Sequence, residues 1–113
     1  MSNFNKVIQQ GRLVKDPELR YTNSGTPVTN IRLAIDSLPN KQTGEARVDF
    51  IPVTVWGKQA ENIASHCMKG QVVTIEGHLR HVIRAEEDGS NRHELQVHAQ
   101  RVIFGAKPMK KAA

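Results

Sequence analysis

Cysteine is almost absent from this chain. Of 113 residues only Cys67 carries a thiol, which excludes an intrachain disulfide and leaves no CxxC or Cys/His cluster at the spacing of a structural zinc. Long apolar runs are missing too: nowhere do about 18 apolar residues follow one another, so no membrane-spanning helix is expected. The start, Met1 to Lys6, has no apolar stretch after a basic one, so export is not expected and a reducing cytoplasm is the expected location. Aromatic residues are scarce at 4% of the chain. They are Phe4, Tyr21, Phe50, Trp56 and Phe104, and this scarcity makes each position informative. What is plentiful is positive charge: 16 Lys and Arg against 11 Asp and Glu leave a formal +5, which favours a polyanionic partner and also suits solubility.

Hydrophobic periodicity divides the chain into five extended segments and one helix. Asn5 to Lys15 places Val7, Ile8, Leu13 and Val14 around Gly11, a bend point in a long curved strand. Turn residues at Asp16-Pro17 and Asn23-Ser24-Gly25 close the first loop. Val28 to Ser37 alternates Ile31, Leu33 and Ile35 with Asn30, Arg32 and Asp36, the period of a half-buried strand. After a polar loop through Asn40 to Gly44, Arg47 to Trp56 sets Ile51, Val53 and Val55 on one face and Phe50, Pro52, Thr54 and Trp56 on the other. From Lys58 to Met68 the period changes: Ala60, Ile63, Ala64, Cys67 and Met68 form a helical stripe, which Gly70 ends. Gln71 to Ala85 and Arg92 to Phe104 flank the polar tip Glu86 to Asn91 as a hairpin. Five strands with one helix between the third and fourth is the order of an all-β OB-fold, the five-stranded Greek-key barrel that binds oligonucleotides. Residues 1–104 read as one such domain and 105–113 as a short basic flexible tail.

A single strand of nucleic acid offers phosphates to cations and base faces to aromatic rings. The third strand carries both rings on the face away from its aliphatic run, at Phe50 and Trp56. Alternation alone leaves two readings of that face: open for stacking, or covered by a partner subunit or the helix. Arg12 and Arg32 alternate onto polar faces of neighbouring strands, and Lys58, Arg80 and Arg84 follow the third and fourth strands closely. These five are the candidates for the phosphate track.

The segments Gly11-Arg12-Leu13, Asp16-Pro17-Glu18-Leu19-Arg20-Tyr21-Thr22, Ile31-Arg32-Leu33-Ala34-Ile35, Trp56-Gly57-Lys58-Gln59-Ala60-Glu61-Asn62 and Ile75-Glu76-Gly77-His78-Leu79-Arg80 resemble the bacterial single-stranded DNA-binding protein family in order and spacing, over essentially Asn5 to Phe104. The resemblance implies an OB-fold that assembles as a homotetramer, or a dimer. It implies coating of single-stranded DNA without sequence preference in replication, recombination, repair or DNA transfer. By position Phe50 and Trp56 match two of the family's stacking sites, whereas Leu38 and Arg84 stand where many members carry rings. The chain ends Lys107-Pro-Met-Lys-Lys-Ala-Ala where replicative members carry a linker and an acidic tip, so docking of partner proteins through an acidic tail is not expected. Short forms of this kind also resemble primosomal replication proteins of the PriB type, restart adaptors that bind single-stranded DNA weakly and bridge protein partners.

Other signals carry less. His66, His78, His81, His93 and His98 include no helical i, i+4 pair, and no metal site or cofactor is expected. Glu86, Glu87 and Asp88 read as a solvated hairpin tip, and Ser65-His66 lacks an orienting acid, so no catalytic residues are expected. Cys67 falls on the apolar side of the helix as an inert thiol. Single-stranded RNA stays open as a ligand, because stacking surfaces accept either sugar.

Overall fold

The computed structural model of the protein describes residues 3–108, and each alternating segment is a strand there. The elements are β1 (Val7–Leu13), β2 (Arg20–Tyr21), β3 (Pro27–Asp36), β4 (Val48–Trp56), α1 (Lys58–His66), β5 (Val72–Ala85) and β6 (Asn91–Phe104). The two-residue β2, which pairs with the start of β3, was not legible as a strand in so short a run. The long strands run in the order β1, β5, β6, β4, β3, and β1 pairs back onto β3, closing the sheet into a ring. One contact in that ring is parallel and only three pairs long: Val53, Thr54 and Val55 of β4 against Val97, His98 and Ala99 of β6. A closed five-stranded ring with its helix between the third and fourth long strands is the OB barrel read from the sequence.

The apolar side of each strand fills the ring. Leu33, Val55, Val73 and Ile75 are wholly buried, joined from the helix by Ala60 and Ile63. The helix packs against β3 and β4 and stops two residues earlier than its apolar stripe, because Cys67 is extended. Cys67 still reaches the core, but Met68 turns out to solvent, and Gly70 takes its positive φ in the turn closed by Gln71 N–H to Met68 O. The side chain of Gln71 is buried yet satisfied: its Oε1 accepts from Met68 N–H at 3.1 Å and its amide donates to Gly105 O at 3.3 Å. Gln59, in the first turn of α1, holds β6 in a similar way, donating to Gln100 O and accepting from Val102 N–H. These bonds tie β6 to the helix just beyond its three-pair contact with β4.

Pairing with β5 continues past β6. Gly105 N–H donates to Val72 O, and Val72 N–H donates to Ala106 O at 2.9 Å. Of the expected tail, residues 109–113 lie outside the described residues. Among the described residues no helix is long and apolar enough to cross a membrane.

Candidate nucleic-acid interface

Register decides which outward side chains become neighbours. Ala34 of β3 pairs with both Arg12 of β1 and Phe50 of β4, so Arg12, Ala34 and Phe50 form one row across the outside of the barrel. The next outward row along β4 is Arg32 beside Pro52. The row after it runs Asn30, Thr54, His98 and His78 across four strands. There Thr54 Oγ1 donates to Asn30 Oδ1 at 3.1 Å. Trp56 stands at the far end of β4, opposite Val28. Six residue steps along the strand separate the two rings by about 20 Å, with Arg32, Asn30 and Thr54 between them.

Both rings are open to solvent, Phe50 at 56% and Trp56 at 42% exposure, so among the described residues neither the helix nor the loops cover them. The indole leans on His98, with ring centroids 6.1 Å apart. A groove beside it is walled by Arg20, Tyr21, Asn30, Thr54, Arg84 and Gln96. A second hollow follows the hairpin from Pro52 and Thr54 to Arg84, Arg92 and Glu94. A third runs from Asn30 and Pro52 past Arg32 to Lys15. Asn30 borders all three.

The structure thus gathers Trp56, Arg84 and Arg32 around connected hollows and sets Arg12 in the row of Phe50. Arg80 lies on the outer face of β5, paired with Gln96, and Lys58 begins the helix two residues beyond Trp56. Both flank the hollows rather than line them. Arg84 is not a free cation: its Nε donates to Glu94 Oε2 at 2.9 Å. Leu38 is almost fully exposed in the loop before β4.

Tyr21, Arg20, Lys15 and Arg92 are groove residues that periodicity did not single out. The loop between β1 and β3 brings the first three to the site. Its anchor is Thr29, wholly buried, whose hydroxyl donates to Glu18 O at 2.7 Å. An exposed aromatic next to an arginine, Arg20-Tyr21, was the local signal available.

Burial, with Arg80 and His78 close by, holds the His98 imidazole below its ordinary value. A base with a depressed folded value binds fewer protons folded than unfolded, so its contribution falls away as pH drops below the ordinary value of about 6.5. Urea denaturation of the parent and of His98→Gln between pH 7.5 and pH 5 should therefore show the parent losing more stability on acidification than the variant. Equal losses would mean that His98 titrates as it does in the unfolded chain.

An OB barrel that carries exposed rings, a polar row and cations on one face has the build of a nucleic-acid-binding module. The chain belongs to the single-strand binding protein family, whose model matches residues 4–105. It is 40% identical over 111 residues to single-stranded DNA-binding protein B of Bacillus subtilis, an alignment that covers 97% of this chain and 98% of that one. It is 43% identical over 102 residues to single-stranded DNA-binding protein 2 of Clostridium acetobutylicum, covering 89% and 76%. To the single-stranded DNA-binding protein of Clostridium tetani it is 44% identical over 102 residues, covering 89% and 70%.

Proposed function

We propose that the chain binds single-stranded DNA without sequence preference, Phe50 and Trp56 stacking on bases and Arg12, Arg32, Lys58, Arg80 and Arg84 lying nearest the phosphates. The observation that carries this reading is the open outer face of β4, where two exposed rings bracket Arg32, Asn30 and Thr54. Base faces and phosphates are common to every sequence, so such a face binds strands generally. With rings absent at Leu38 and Arg84, charge carries a larger share of the affinity and makes it strongly salt-dependent. The protein coats and protects strands exposed in replication, recombination, repair or DNA transfer, in the cytoplasm or nucleoid, and works by binding without a catalytic step. It works as a homo-oligomer, a tetramer ahead of a dimer.

Trp56 is the only tryptophan, so its fluorescence reports on the site directly. Titration with oligo-dT at two salt concentrations should quench it, with affinity falling as salt rises, and light scattering on the same sample should give a tetramer mass. Weak binding from a dimer with little quenching would overturn the coating role and favour the restart adaptor.

A further inference from the structure

The β5–β6 hairpin sets two arginines directly opposite each other, Arg84 against Arg92. Both engage one carboxylate: Glu94 Oε2 accepts from Arg84 Nε at 2.9 Å, and Glu94 Oε1 meets an Arg92 guanidinium nitrogen. The carboxylate is the least exposed of the three, at 20% of its side-chain surface against 58% for Arg84 and 64% for Arg92. The Arg84 hydrogen bond also keeps this acid below its usual range, so it stays ionised near neutrality. All three side chains line the hollow that Asn30 and Thr54 share. A carboxylate and a phosphodiester present the same chemistry to a guanidinium, two anionic oxygens in one plane that fit its donor fork.

We propose that Glu94 is an internal competitor for strand phosphate: in the free protein it occupies the guanidinium donors of Arg84 and Arg92, and a bound strand must share or displace it. This rests on the single-stranded DNA reading given above. Among the described residues Glu86 pairs only with Arg92, at 4.0 Å, so Arg84 is the cation that loss of Glu94 would release. A carboxylate here lowers affinity and flattens salt dependence, because a guanidinium held by Glu94 neutralises one strand phosphate fewer and so releases fewer of the cations condensed on the strand.

The test is binding of a labelled oligo-dT to the full chain and to Glu94→Gln, over a salt series, with melting temperatures measured in parallel. Glu94→Gln should bind roughly three- to tenfold tighter at low salt, with a log–log salt slope steeper by about 0.7 for one further phosphate contact. The gain should disappear at high salt and in the double variant Glu94→Gln with Arg84→Gln. Glu94→Thr, a residue favoured in strands, repeats the test should glutamine disturb the hairpin, while Glu94→Asp keeps the charge and should show no gain. Equal or weaker binding by a folded neutral variant overturns the proposal, and so does a gain that persists without Arg84. In the first case Glu94 serves only to separate two like charges across the ladder, and in the second its charge opposes the strand without competing for Arg84. A parent that does not bind oligo-dT at all would instead remove the single-stranded DNA reading.

Discussion

Gly77→Ala should cost this barrel at least about 3 kcal/mol, at the upper end of what overpacking usually costs. Gly77 sits at the irregularity between Glu76 and Gly77 where β5 shifts register against β6. A β-carbon placed there would stand 2.0 Å from His98 O, 2.9 Å from His98 C and 3.0 Å from Ala99 Cα. All three are backbone atoms, so no side chain can swing aside, and β6 itself must move by more than an ångström. The part that must move is the worst placed to do so, because His98 and Ala99 also make the short parallel contact with β4 that closes the ring. Folded domains hold only about 5–15 kcal/mol in total, so such a loss would leave the variant partly unfolded or markedly lower its urea midpoint. Gly11→Ala offers a graded comparison: its β-carbon would meet Ala34 O at 2.7 Å and a movable Ile35 side chain at 2.9 Å, and the loss should be smaller. A Gly77→Ala unfolding free energy within about 1 kcal/mol of the parent would show that β6 yields easily, and would remove the argument that this crossing is rigid.

Trp56→Ala should produce the largest binding loss of any single substitution on the outer face. Stacking on one aromatic ring is worth about 1–3 kcal/mol per base, roughly a five- to 150-fold weakening at the usual conversion. Because the variant has no tryptophan left, a labelled oligonucleotide must supply the signal. The ring lies outside the core and is 42% exposed, so melting should change little and affinity much. Trp56→Phe should recover part of the loss. Removing one cation such as Arg32 should weaken binding less and flatten the salt slope by about 0.7. Unchanged affinity in a folded Trp56→Ala would reduce the indole to a surface cover over His98, and the charged hollows would then carry the binding alone.

How much of this was legible in advance depended on the distance over which each feature is encoded. Alternation within β4 placed Phe50 and Trp56 opposite Ile51, Val53 and Val55, and the switch from period two to a helical stripe after Gly57 located α1. Both depend on residues a few positions apart. The end of the helix was read two residues late because the apolar stripe continues through Cys67 and Met68 while the backbone has already turned extended. Periodicity records which side chains are apolar, and Cys67 is buried from either conformation.

Taken alone, the sequence determined the five long strands and the helix, the sides of β3 and β4 that face the core, the basic charge and the two rings on the polar side of β4. These follow from local sterics and from burying one face of each element, which the order of residues states directly. The tertiary structure alone decided the company those residues keep: Arg12 in the row of Phe50, Tyr21 and Arg20 beside Trp56, and Arg84 and Arg92 held by Glu94. The reason is that ring closure pairs residues far apart in the chain. Which cations meet which rings is set by strand register and by tethers such as Thr29 to Glu18 O, and neither leaves a periodic trace in the local sequence.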